Sequence, residues 1–171
     1  MATLTVFTPT YNRAYVLKQC YDSLCRQTCK DFVWLIIDDG SSDNTKEIVE
    51  KWMAQDNGFE IRYVYKQNGG MHTGHNKAYE LIDTELNVCI DSDDFMPDDA
   101  VELIVNFWEE NKDSSYSGIL ALDVYKNGQV IGKELPNKKS TTLSGYYQNG
   151  GEGDKKLIYR TEIINKYPPY P

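Results

Sequence analysis

The chain contains no run of about 18 or more apolar residues, so no stretch reads as a membrane-spanning helix. Histidine is scarce, at two residues, and cysteine stops at four. Cys20, Cys25 and Cys29 fall in or just after one helical stretch, and Cys89 lies in an apolar run. Those spacings are unlike the paired C-x-x-C knuckles of zinc sites and read as reduced structural thiols. The signatures G-x-G-x-x-G after the first strand, G-x-x-x-x-G-K-[ST] and G-x-S-x-G are missing, and no Cys–His nucleophile pair is evident. That removes the dinucleotide fold, the P-loop and the usual hydrolase elbow. Positive charge is not in excess either: the formal charge of −8 argues against a nucleic-acid partner.

What is present suits a single globular domain, since 171 residues at 40 % apolar content can bury a sizeable core. The strand pattern Leu4-Thr5-Val6-Phe7 begins almost at once. The expectation is therefore no signal peptide and a soluble, cytoplasmic protein, with any membrane association peripheral, at the inner face.

Strand and helix signals alternate through the first two thirds. Leu4 to Phe7 predicts a first strand, with Pro9 expected to stop its ladder. Leu17, Cys20, Tyr21, Leu24 and Cys25 recur at helical spacing. Phe32 to Ile37 is continuously apolar, as a strand covered on both faces requires. Asn44 with Glu47 predicts a capping box for a helix carrying Ile48, Val49, Trp52 and Met53. Ile61 to Tyr65 and Val88 to Ile90 predict two more strands, and His75, Ala78, Tyr79 and Ile82 a helix between them. Val101, Ile104, Val105 and Trp108 mark a fourth helix, with Asp98 and Asp99 available to cap it. After about residue 115 the rhythm changes to a hairpin over 118–132, a loop over 133–155 and a short strand at Leu157-Ile158-Tyr159. The succession predicts an α/β fold, a Rossmann-like, mainly parallel sheet flanked by helices with a small antiparallel portion towards the C-terminus.

Polar clusters fall at the ends of successive predicted strands, at 8–13, 38–43 and 91–94, with the loop 67–76 beside them. A parallel sheet brings such ends to one rim, where ligands bind. Asp91-Ser92-Asp93-Asp94 directly follows the apolar run Val88-Cys89-Ile90, which reads as a buried strand delivering three carboxylates to that rim. Like charges side by side are costly without a cation, and hard oxygen ligands suit Mg²⁺ or Mn²⁺. Asp39 could accept a hydrogen bond from the ring N–H of a base and Tyr11 could offer it a flat surface. Without other information, Asp38 and Asp39 more often read as turn formers and helix caps. His72, His75, Asn76 and Lys77 start the third helix, where free N–H groups favour anions; a diphosphate or ribose contact fits Asn76.

Assembled, these residues resemble the family 2 glycosyltransferases of GT-A fold. The matching text is Thr8-Pro9-Thr10-Tyr11-Asn12-Arg13, Ser23-Leu24 with Gln27-Thr28, Asp31-Phe32 and Trp34 through Asp43, Asn68-Gly69-Gly70 through His75-Asn76-Lys77, and Asp91-Ser92-Asp93-Asp94. The similarity covers most of residues 3–105 and thins beyond about 110. It implies a nucleotide-binding part over 1–112 and a partial acceptor side over 113–171. By resemblance, Thr8, Pro9, Tyr11 and Asp39 hold uridine, Asp91 lies near the ribose or donor sugar, and Asp93, with Asp94 competing, binds the metal. Met71 stands where many relatives carry a lysine.

The implied chemistry is inverting, metal-assisted transfer of a sugar from a nucleoside-diphosphate sugar, UDP-linked by expectation, to an acceptor hydroxyl on a carbohydrate or lipid-linked acceptor, as in cell-surface polysaccharide synthesis. In the family the general base follows a segment like Tyr167-Pro168-Pro169-Tyr170-Pro171, so a fragment ending before its base is expected; Glu152 and Glu162 lack the family context. Two other readings stay open. One is a non-catalytic sugar-nucleotide-binding module. The other is a receiver-like phosphoacceptor domain, which would need an acidic pair after the first strand and a lysine ending the fifth.

Overall fold

The computed structural model describes residues 2–136 and 140–171. The expected loop 133–155 includes 137–139, which lie outside the described residues. Strands β1 (Leu4–Thr10), β2 (Phe32–Asp38), β3 (Glu60–Tyr65), β4 (Leu86–Cys89), β5 (Gly118–Leu122) and β6 (Lys155–Arg160) form one sheet in the order β3-β2-β1-β4-β6-β5. The first four run parallel, and β6 pairs antiparallel with both β4 and β5. Helices α1 (Ala14–Cys25), α2 (Thr45–Met53) and α3 (Met71–Leu81) link the four parallel strands, α4 (Ala100–Asn111) leads from β4 to β5, and α5 (Leu143–Gln148) and α6 (Thr161–Ile164) are short.

The period-2 alternation of the strands divides the core in two. Leu4, Val6, Trp34 and Ile36 face Leu17, Cys20 and Leu24 of α1, Val49 and Trp52 of α2, and Val101, Ile104 and Trp108 of α4. Phe7, Leu35 and Ile37 point the other way, onto Ala78 of α3 and Ile82. Covered on both sides, β2 is buried at every position, which is why its sequence is an unbroken apolar run. Tyr21 and Trp52 stack with centroids 4.3 Å apart, fixing α1 against α2.

Five local expectations differ from the structure. Pro9 does not end β1, which continues to Thr10 and pairs Pro9 with Ile37 of β2. Ile90 N–H donates to the Phe7 carbonyl, so Phe7 and, by alternation, Pro9 present their backbone groups towards β4. That strand has ended by then, so no rung needs the N–H that proline lacks. The cap of α2 comes from Asp43 rather than Asn44: Asp43 Oδ1 accepts from Thr45 N–H at 3.1 Å and from its hydroxyl at 2.6 Å. Helix α4 is likewise capped from a distance, with Val101 N–H donating to Gln27 Oε1 at 2.9 Å while Asp99 makes no side-chain cap. The loop expected over 133–155 holds α5, begun by Thr142 accepting from Gly145 N–H, and the expected hairpin is reduced to one bridge between Val124 and Val130.

Candidate active site

The ends of β1, β2, β3 and β4 meet at one rim, and their loops are tied to each other before any ligand is considered. Asn12 takes a left-handed φ of 53°, an unusual conformation that asparagine tolerates better than most residues. That turn aims Asn12 Oδ1 at the Ser42 N–H, 2.8 Å away, while Asn12 N–H donates to Ser41 Oγ. Asp43 Oδ2 accepts from Ala14 N–H at 3.0 Å, so this carboxylate serves the starts of both α1 and α2. Asp38 is structural, accepting from Ser41 N–H and the Tyr63 hydroxyl.

Asp39 is the most heavily committed side chain of the rim and is 4 % exposed. One oxygen receives the Lys66 ammonium and Gly69 N–H; the other receives Gly70 N–H at 2.7 Å and Asn68 Nδ2 at 3.2 Å. Burial alone would raise this carboxyl, but the bonds from Lys66, Gly69 and Gly70 hold it below the ordinary aspartate range. The backbone has to pass close here. Gly40 has φ +89°, and a Cβ on it would sit 2.8 Å from Asn68 N.

Around Asp39 the other expected residues divide. Pro9 and Tyr11 stand at the β1 end, with Tyr11 half exposed and Gly74 of α3 packed so that a Cβ there would lie 3.3 Å from Pro9. Thr8 is fully buried, its hydroxyl accepting from Trp34 Nε1 at 3.0 Å, so its side chain belongs to the core. Asn76 directs its amide at the main chain of Tyr170. Lys77 pairs with Glu80.

The acidic tetrapeptide lies beyond β4 in a turn closed by Asp94 N–H to the Asp91 carbonyl. The carboxylates sit beyond the end of β4, at the rim, as the sequence had suggested, but Asp91, Asp93 and Asp94 are exposed and only Ser92 is buried. Burial raises the Asp94 carboxyl; Lys156 pulls it back, and the charges of Asp91, Asp93 and Asp123 push it further up. Asp93 pairs with Arg13 at 3.2 Å. Among the described residues, no three His, Cys, Asp or Glu side chains stand where they could close around a metal. An oxygen-only donor set of one or two carboxylates with crowded charge nevertheless fits Mg²⁺ or Mn²⁺, which take few protein ligands and complete their shells with phosphate.

Sequence reasoning missed what holds this turn. Gln19, Ser23 and Gln27, four residues apart, line the side of α1 and the turn after it. Gln19 Nε2 donates to the Asp93 carbonyl at 2.8 Å, Met96 N–H to Ser23 Oγ at 3.1 Å, and Gln27 Nε2 to the Pro97 carbonyl at 2.6 Å. Polar residues recurring at i, i+4 spacing alongside the apolar stripe of α1 were the available signal. His75 Nε2 and Cys89 Sγ also come within 3.8 Å, a pair the sequence did not suggest. Burial pushes the thiol up to about 12 and lowers the imidazole, so neither is primed as nucleophile or base.

A cavity of about 400 Å³ opens at the opposite rim, lined by Lys30, Asp31, Glu60, Arg62 and Asp83 among others. Its arginine is already bound by Glu60 and Asp83, and the amino ends of parallel strands are not where open α/β sheets hold ligands.

The profile of glycosyl transferase family 2 matches residues 5–167. The chain belongs to this family. It is 31 % identical over 144 residues to a chondroitin synthase of Pasteurella multocida, covering 81 % of this chain and 15 % of that protein. It thus spans a small part of that relative's length. Its fold is of GT-A type. The UDP complex of S. aureus TarS 1–349 superposes with a TM-score of 0.74 at 24 % identity, covering 97 % of this chain and 48 % of that one. The mannosyltransferase PcManGT from Pyrobaculum calidifontis, in complex with GDP-Man and Mn²⁺, gives 0.70 at 17 %, covering 99 % and 47 %. In this family 2 chain, the residues matched reach from β1 to the segment following α6.

Proposed function

We propose that this chain forms the donor-binding part of a glycosyltransferase moving a sugar from a nucleoside-diphosphate sugar, UDP-linked, to an acceptor hydroxyl with inversion, in the synthesis of a cell-surface glycan. The observation that carries it is the convergence of Pro9, Tyr11, Asp39 and the turn Asp91–Asp94 on one sheet rim. Tyr11 supplies a face for the base, and Asp39, held ionised, accepts from its ring N–H by exchanging one of its loop partners. Thr8 supports the site from beneath through Trp34. Asp91 faces the ribose or donor sugar. Asp93 or Asp94 would hold Mn²⁺ or Mg²⁺, which supplies positive charge opposite the departing diphosphate. Residues 1–112 carry the nucleotide and 113–171 begin the acceptor side. No general base is assigned within these residues, where Glu162 pairs with Arg160 and Glu152 with Lys133.

Isothermal titration with UDP, with and without Mn²⁺, tests this reading. Binding that strengthens with Mn²⁺ and loses that dependence in Asp93→Ala or Asp94→Ala is the expected result. A folded chain that ignores UDP at millimolar concentration in both conditions sinks it.

A further inference from the structure

Resting on that donor-site reading, we infer that Asn76 is a positioning residue that clasps the chain at Tyr170 onto α3 and leaves the donor to other side chains. The geometry is reciprocal. Tyr170 N–H donates to Asn76 Oδ1 at 2.8 Å, and Asn76 Nδ2 donates to the Tyr170 carbonyl at 2.9 Å. One primary amide thereby engages its oxygen and one of its two N–H groups on the main chain of a single residue, as a neighbouring strand would. The sequence makes this residue the only candidate. In Pro168-Pro169-Tyr170-Pro171 every other position is proline, so Tyr170 carries the one N–H of the stretch, and Asn76 takes it.

The side chain of Tyr170 adds to the hold. Its ring lies 6.0 Å from His75, edge-on, and 6.5 Å from Tyr79. Burial, and secondarily Tyr170, raise the hydroxyl of Tyr159 in β6. A proline-rich segment is stiff before it docks, so one anchor fixes its course at small entropic cost. An amide held at both its oxygen and its nitrogen keeps one N–H free but has its orientation fixed, so turning it towards a diphosphate surrenders both bonds of the strap.

The test uses the 171-residue chain labelled with ¹⁵N. In Asn76→Ala the Tyr170 amide should exchange about fivefold faster, the equivalent of one net hydrogen bond. UDP affinity in the presence of Mn²⁺ should stay that of the unaltered chain. Asn76→Asp sharpens the contrast, because a carboxylate beside a diphosphate would repel it, whereas in the clasp it still accepts from Tyr170 N–H. Unchanged UDP affinity in Asn76→Asp is expected. Weakened UDP binding in Asn76→Ala, and more so in Asn76→Asp, overturns the inference, as does a Tyr170 exchange rate indifferent to both. Should the Asn76 variants fail to fold, Tyr170→Pro removes the N–H without substituting a residue of α3, and Tyr170→Ala controls for the lost ring. The Asn76 side-chain amide signal should then shift and exchange faster, while Tyr170→Ala, which keeps the N–H, leaves it in place; equal signals in the two overturn the clasp. A chain that binds no UDP at all counts against the donor-site reading alone, because the exchange arms need no ligand.

Discussion

Asp39 concentrates the residue-scale physics of this protein. Its four acceptor positions are filled by one ammonium, one side-chain amide and two glycine N–H groups, all from the loop that follows β3. A carboxyl held below the ordinary 3.8 of aspartate binds its proton more weakly folded than unfolded. Its contribution to stability is therefore fully present above that ordinary value and is lost as pH falls through the lower folded one. The urea midpoint of the chain should decline as pH is lowered through this acidic window, and in Asp39→Asn that part of the decline should vanish. Asp39→Asn should also cost about 2–3 kcal/mol at neutral pH, because its new N–H₂ faces a glycine N–H and Lys66 loses its counter-charge. A midpoint unchanged by the substitution would show that the loop re-pairs without it.

At the scale of elements, α1 acts as a rack for the acidic turn. Gln27 is 3 % exposed and bonds Ser23 O, Pro97 O and Val101 N–H, so it joins the end of α1 to the start of α4. Removing it leaves a buried carbonyl and a helix-start N–H unpaired. Gln27→Ala should lower stability by about 2 kcal/mol in urea unfolding. It should also weaken the Mn²⁺-dependent part of UDP binding more than the Mn²⁺-independent part, because the turn loses its support while Asp39 and Tyr11 keep theirs. The elements themselves were legible: a run such as Phe32–Ile37 can only be a strand covered twice, and the stripe from Leu17 to Cys25 only a helix. Their ends were less so. Pro9 was expected to stop β1, since a missing N–H matters only if a neighbour needs it, and that depends on where β4 stops. Asn44 lost its capping role to Asp43 through geometry that spacing does not encode.

At the scale of the whole molecule, the antiparallel pair β5–β6 is part of the same sheet and not a separate lobe. Ile158 of β6 is 1 % exposed and lies in the core shared with β4 and α1, and Trp108 of α4 donates to Glu85 beneath the guanidinium of Arg160. A chain cut after residue 112 would bare the edge of β4 and the apolar surface under Ile158. It should bind a hydrophobic dye and aggregate, where the 171-residue chain unfolds in a single transition. A well-folded, monomeric 1–112 fragment would show instead that these residues stand alone.

By itself the sequence determined the alternation of strands and helices, the acidic turn after an apolar run, and the family to which this text belongs, because periodicity and short motifs are local properties. Which side chains are free to meet a ligand was decided only by the tertiary structure. Thr8 and Tyr11 sit in one motif, yet one is enclosed beneath Trp34 and the other is half exposed. Asn76 and Asp93, both polar and near the rim, already have partners at Tyr170 and Arg13, residues 94 and 80 positions away in the chain. The physical reason is that a hydrogen bond or ion pair depends on distance in space, and chain separation carries no information about it until the sheet has brought the loops together.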